Sequence, residues 1–181
     1  MKQWICNIKG SLTKLITFFL FVSVLSSTVR AQNITNYTFN SSSGTFTALT
    51  SPTNPTFSGG NLDDGSFNSI PIGFDFWYMG LRYTTVSAST NGWLVPGANI
   101  TDHSSNDYVN NMTSVAVRPV IAPLWDDLDI GATTNVSYKT TGTAGSRVFT
   151  IQYLNIKWYY LEPGSVISRS EEHTSELQSQ R

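Results

Sequence analysis

The stretches Ser89-Thr90-Asn91-Gly92-Trp93 and Ile121-Ala122-Pro123-Leu124-Trp125-Asp126-Asp127-Leu128-Asp129 decide the fold of this chain. The first closes one β-like run, and the second opens another. Asn and Gly both tolerate positive φ, so Asn91-Gly92 predicts a tight primed hairpin turn, with Trp93 packing just after it. Proline at Pro71, Pro119 and Pro123 lacks a backbone donor, which fits strand starts, bulges or edges and argues against central ladder positions.

Outward from these segments, Thr, Ser, Asn and Gly dominate while aromatics punctuate short runs, and no apolar pattern holds a helical period. The chain reads as all-β. Predicted strands are Tyr37–Phe39, Phe46–Leu49, Ser69–Trp77, Thr84–Ala88, Trp93–Val95, Val117–Ile121, Val136–Lys139 and Arg147–Trp158, bounded by Gly, Pro, Asn and Asp clusters. Short strands separated by polar turns favour an antiparallel β-sandwich. Alternation in the last run puts Phe149, Ile151 and Tyr153 on one face and Val148, Leu154, Ile156 and Trp158 on the other. Such two-sided hydrophobicity predicts an interior strand, bent where it passes from one core to another. Ile100 to Met112 is polar and reads as a long solvent loop.

The two ends do not belong to this domain. Lys2, Lys9 and Lys14 precede an apolar run from Leu15 to Leu25 and small residues up to Ala31, the pattern of a secretory signal-peptide helix cleaved after Ala31. The apolar run is well short of the roughly 20 residues that span a bilayer, so no stable membrane span is expected after cleavage. The single cysteine, Cys6, lies before that run, so cleavage leaves no thiol and no lipid-anchor site. At the other end, Arg169–Ser179 matches the in-frame translation of a common sequencing adapter. Residues 169–181 are therefore read as a disordered artefact tail, and the sandwich as incomplete at its C-terminal strands.

Residues 32–168 remain as one domain, a length that supports a sizeable core. Arg82, Arg118, Lys139, Arg147 and Lys157 there stand against nine acidic residues, so the charge is about −4. The basic residues are scattered singly, which excludes the phosphate-tracking patch that nucleic acids require.

An ordered series of short motifs carries a resemblance. Ile70-Pro71-Ile72-Gly73-Phe74-Asp75-Phe76, then Met79-Gly80, Tyr83-Thr84-Thr85-Val86, Ser89–Trp93, Ala122–Asp129, Val136–Gly142 and Arg147–Trp158 together resemble the nidogen-type extracellular β-sandwich. They are more similar still to related N-terminal modules of large secreted or surface proteins of the Bacteroidetes phylum. The correspondence covers roughly residues 37–168, and the order of the motifs gives it specificity. The resemblance implies a module at the start of a larger protein with further repeats and, in many such proteins, a sorting domain for the type IX secretion system. In those modules the sheet is finished by a strand and hairpin after the region of Trp158, and Val166-Ile167-Ser168 begins such a strand here.

Three chemistries are legible. Asp126, Asp127 and Asp129 offer hard oxygen ligands for calcium at a turn, and Asp127 and Asp129 have the alternate spacing that starts a calcium loop, though no third acid follows on that spacing and no closing Glu appears at the expected distance. The competing reading has Asp126 bonding its own backbone while the others face water. Asp63-Asp64-Gly65 is a second acidic turn, and a partnership between the two acidic clusters is left open. Tyr159 and Tyr160, at the exit of the last strand, are the candidates for stacking a glycan. His103 is the one histidine of residues 32–168, read as a solvated loop residue, and no nucleophile and base are assembled by the sequence, so no catalytic residues are assigned. Asn-x-Ser/Thr sequons at Asn33, Asn36, Asn40, Asn99, Asn111 and Asn135 mark surface loops if the source glycosylates them and an Asn/Ser/Thr-rich surface otherwise.

The expected function is adhesion or structural display by a non-catalytic module, secreted or on the outer cell surface. The alternative is a carbohydrate-binding module of a glycan-active protein. The expected partner is an extracellular protein or glycan, and calcium is the one cofactor suggested.

Overall fold

The computed structural model describes residues 44–111, 113, 117–159, 161 and 166–174, all within the compact unit Tyr37–Arg181. The expected signal-peptide helix and the strand Tyr37–Phe39 lie outside the described residues. Seven strands form two antiparallel sheets: β1 (Gly59–Gly60), β2 (Gly65–Tyr78), β3 (Leu81–Ser89) and β4 (Leu94–Pro96) in one, and β5 (Val136–Thr141), β6 (Val148–Lys157) and β7 (Val166–Thr174) in the other. One helical turn, α1 (Ser105–Tyr108), interrupts the β4–β5 connection, and a 3₁₀ turn at Thr133–Asn135 leads into β5. Among the described residues no helix is long and apolar enough to cross a membrane.

Strand β2 shows why the sheets face each other. Ile70, Ile72, Phe74 and Phe76 are buried while Pro71, Gly73, Asp75 and Trp77 are exposed, the period of two that one buried face dictates. These side chains meet Val136, Phe149, Ile151 and Tyr153 of the other sheet in the main core. Pro71 is tolerated inside β2 because the β1 pairing ends at Gly65–Ser66, and the β2–β3 register shifts on both sides of it. Cross-sheet bonds fix the stacking: the Thr140 hydroxyl donates to the Ile72 carbonyl at 2.7 Å, and Tyr153 Oη donates to the Ser89 carbonyl at 2.8 Å.

Strand β4 separates two cores by the same alternation. Leu94 enters the main cluster, whereas Trp93 and Val95 join Ile100, Val120 and Trp125 in a second. The Trp93 and Trp125 rings lie 5.7 Å apart.

Strand β6 is interior, between β5 and β7, as its sequence requires. Its face assignment changes at a bulge: the register shifts between Tyr153 and Ile156, and Asn155 takes φ 55°. That extra residue turns Ile156 back into the core beside Tyr153 and leaves Leu154 half-buried. The opposite face carries buried Gln152, whose side-chain oxygen accepts the Leu49 amide at 2.7 Å. Phe46–Leu49 thus packs as an irregular segment over β6 and not as a strand.

Three other expectations change. Val117–Ile121 contributes a single bridge, Ile121 to Leu94. The polar stretch after Ile100 is not wholly solvated, because Asp107 is 1% exposed. Strand β7 does not stop at Ser168: Arg169–Thr174 continue along β6 to the Val148–Thr174 pair, so these six residues are ordered in the sheet and not part of a disordered tail. Residues 175–181 lie outside the described residues.

The bulge is testable. Ile156→Ala is expected to cost about 2–5 kcal/mol, as buried aliphatic truncations do, and Leu154→Ala less than about 1.5 kcal/mol. Urea unfolding of the two variants checks the order, and equal losses would contradict the bulge.

Candidate functional site

The Ser89–Trp93 turn is closed by the Ser89 amide on the Trp93 carbonyl at 2.9 Å, leaving Thr90, Asn91 and Gly92 as a three-residue loop. Gly92 alone of these takes positive φ, +77°, so the expected two-residue primed turn is replaced by a longer one with glycine at its left-handed position. A side chain there is also barred by contact, since a Cβ on Gly92 would sit 2.1 Å from the Leu124 carbonyl oxygen. Hairpin turns usually face water, but here Thr90 and Asn91 are each fully buried.

Burial obliges every polar atom of the turn to find a partner. The Asn91 side-chain oxygen accepts the Leu128 amide at 2.7 Å, and its NH₂ donates to Asp64 Oδ1 at 3.0 Å and to Asp107 Oδ2 at 3.1 Å. Its main-chain oxygen accepts the Asp126 amide at 3.3 Å. Thr90 Oγ1 accepts the Gly65 amide at 2.8 Å and contacts the Asp63 carbonyl oxygen. The turn thereby ties together the Asn61–Gly65 turn, the segment carrying Asp107, and Leu124–Leu128.

Within this frame the acids regroup. Asp126 Oδ1 accepts the Asp127 amide at 2.9 Å. Asp129 Oδ1 accepts the Gly131 amide at 2.7 Å, and its Oδ2 pairs with Lys157 Nζ at 3.0 Å. Asp127 instead joins Asp63 and Asp64, with one carboxylate oxygen from each lying within 4.8 Å of the others. The sequence cluster Asp126, Asp127 and Asp129 therefore yields one member of the three-carboxylate group, and the second acidic turn supplies the other two. Such a set can hold a hard cation such as calcium, which takes 6–8 oxygens in a flexible geometry that two turns can meet.

The electrostatics fit that chemistry. Burial, then the charges of Asp64, Asp127 and Asp129, push Asp63 up to about 6, partly offset by Lys157. Asp63 Oδ1 is buried with no hydrogen-bond partner among the described residues. Burial, then Asp64 and Asp126, also raises Asp127.

Asp107 is the residue the sequence did not single out. Its Oδ1 accepts the Ser89 hydroxyl at 2.8 Å, and its main-chain oxygen accepts both indole N–H groups, Trp93 at 2.9 Å and Trp125 at 2.7 Å. Burial drives its carboxyl up to about 6 against the opposing bonds from Ser89 and Asn91. Two indoles adjoining a buried turn need an acceptor, and that need was the one signal for it. Burial likewise raises the Tyr153 phenol, and the Asp107 charge adds to the effect.

The other candidates are placed differently. His103 is half-buried, not a solvated loop residue, with Nε2 3.0 Å from Ser66 Oγ. Ser66 is fully buried, and its hydroxyl donates to the Ile100 carbonyl, so this pair presents no nucleophile to a substrate. Tyr159 is half-buried, Tyr160 lies outside the described residues, and the neighbouring Trp158 is 44% exposed.

Two outcomes are expected. Asn91→Ala strands the Leu128 amide and removes donors from two carboxyls, a loss of about 3 kcal/mol or more in urea unfolding; a loss below about 1 kcal/mol would contradict the network. For pH, Asp63 and Asp107 hold their protons to about 6 when folded, against an ordinary 3.8. The folded state then binds more protons across that window, so this stabilisation is complete below about pH 4 and is lost as pH rises through about 6. Thermal melting is expected to give a higher Tm at pH 5 than at pH 7.5 in the presence of chelator, and the reverse order would contradict it.

No curated protein and no solved structure shows a significant match to the chain. The NIDO-related family matches residues 36–170, which include every described strand residue through Ser170, the Asn91 turn and both acidic turns. The chain belongs to the NIDO-related family of extracellular β modules.

Proposed function

We propose that this chain is a non-catalytic module of a larger secreted or cell-surface protein, serving adhesion or structural display, with calcium bound by Asp63, Asp64 and Asp127. The observation that carries the reading is the arrangement of its loops. The β1–β2 turn and two separate segments of the long β4–β5 connection are bonded to one buried turn, which presents a fixed loop surface and a carboxylate cluster without an accessible nucleophile–base pair among the described residues. Family membership supports the extracellular setting, where calcium is abundant enough for sites with Kd near 10⁻⁴–10⁻³ M.

A second reading, glycan binding, is favoured by one observation. Exposed Trp158 follows Lys157, whose backbone bridges to Asp129 and whose ammonium pairs with it, so an aromatic surface adjoins the acidic end of the sandwich.

Calcium at ten times its Kd is expected to stabilise the protein by about 1.4 kcal/mol, read as a rise in Tm that chelator reverses and Asp64→Asn abolishes. An unchanged Tm in 10 mM calcium would remove calcium from the proposal. A glycan array run with calcium and with chelator separates the two functions: binding lost in Trp158→Ala or Tyr159→Ala supports the glycan reading, and a blank array supports display.

A further inference from the structure

We propose that the Asp107 carboxyl is a proton-operated latch, which holds its helical turn against the Trp93–Trp125 pair when neutral and loosens it when ionised. The inference does not require that calcium bind. It stands first on the want of a counter-charge: Asp107 takes part in neither the Arg82–Asp75 nor the Lys157–Asp129 ion pair, and its carboxyl receives neutral donors, Ser89 and Asn91. A carboxylate 1% exposed with no cation is the state that burial penalises most.

The groups facing it make ionisation harder still. Asp64 lies across the Asn91 amide, which donates to both carboxyls, and Asp63 and Asp127 lie beyond Asp64. From β6, the Tyr153 phenol donates to the Ser89 carbonyl. On the same segment, His103 is turned toward Ser66. The upward displacement of the Asp107 pKa to about 6, caused chiefly by burial, agrees with this geometry.

The neutral acid keeps the closed arrangement. Its proton sits on Oδ1 and is donated to Ser89 Oγ, so the Ser89–Asp107 bond described above reverses its direction, while Oδ2 continues to accept from Asn91. Ionisation restores a buried, unpaired charge that only water can relieve, and water reaches it by displacing the turn Ser105–Tyr108. That movement withdraws the Asp107 carbonyl from both indoles and uncovers a second core, comprising Trp93, Val95, Ile100, Val120 and Trp125. The first half of the loop does not share this dependence. Ile100 exchanges bonds with Asn68 at 2.9 and 3.0 Å, and the Ala98 carbonyl accepts from Ser87 at 2.6 Å, all between neutral groups. A module built this way keeps its aromatic cluster covered in acid and offers it intermittently near neutral pH.

The test is hydrogen exchange of the Trp93 and Trp125 indole N–H groups between pH 4 and pH 7.5, with chelator present and rates divided by the intrinsic indole rate. The normalised exchange rate is expected to rise by up to about 100-fold across the range, climbing about tenfold per pH unit above about 4 and levelling off near 6, because the carboxyl titrates near 6 in the closed state and near its ordinary 3.8 in the open one. Asp107→Asn, an isostere of the neutral acid, is expected to hold protection constant, and His103→Gln to titrate as the parent does. Flat protection in the parent, a transition surviving in Asp107→Asn, or one lost in His103→Gln would each overturn the proposal. If Asp107→Asn does not fold, the carboxyl carbon chemical shift of Asp107 in the parent decides. A midpoint near 6, where the indole exchange rates level off, supports the latch, and a midpoint near the ordinary aspartate value overturns it.

Discussion

One side-chain amide organises the loop end of this sandwich. Asn91 is buried, and its carbonyl and both N–H groups are engaged, so its hydrogen-bonding demand is met only if three separate segments come to it. In a medium of low dielectric such bonds are strong when made and costly when broken, which favours an arrangement that is complete or absent. Gly92 makes the turn compact enough to be buried, because no Cβ fits against Leu124. Thr90 and Ser89 extend the same logic to the Gly65 amide and to Asp107. The strands on either side then serve as the rigid frame on which this knot of loops is held.

Gathering acidic segments around an uncharged amide has an electrostatic consequence. Asp63, Asp64, Asp107 and Asp127 are brought near one another, while Lys157, whose charge acts on Asp63, is paired with Asp129. The surplus negative charge can be relieved by protons or by a divalent cation, and Asn91 connects the two places where that happens. Asp64 belongs to the carboxylate group and shares the Asn91 amide with Asp107, so the charge state of either neighbour is felt by the other. Both proposed properties thus have a single physical origin, although each is tested separately.

Much of the sheet framework was legible in the sequence, because alternation depends on local pattern alone. The runs around Ile70–Phe76, Thr84–Ala88, Val136–Lys139 and Arg147–Trp158 all lie in strands. Where the reading failed, a non-local event was responsible. The bulge at Asn155 reverses the parity of Ile156, and two-residue β1 is too short to carry a pattern. Asp107 resembles any polar loop residue until Trp93 and Trp125 are known to converge on its carbonyl. The acidic site was half-visible: both turns stood out, but their meeting at Asp63, Asp64 and Asp127 depends on the inward-facing turn between them. The local backbone bond of Asp126 was among the readings, but spacing along the chain could not show that Asp129 pairs with Lys157 while Asp127 turns to the other acidic cluster.

The central claim is that the buried Asn91 turn is part of the cooperative core and not an appended loop. Native-state hydrogen exchange at the Leu128 amide, whose acceptor is the Asn91 side chain, tests it most directly. The expected result is exchange only through global unfolding, with the same free energy as the amides of Phe149 and Ile151 in β6. Exchange through a local opening several kcal/mol below that value would contradict the claim, and would place the turn among the mobile loops.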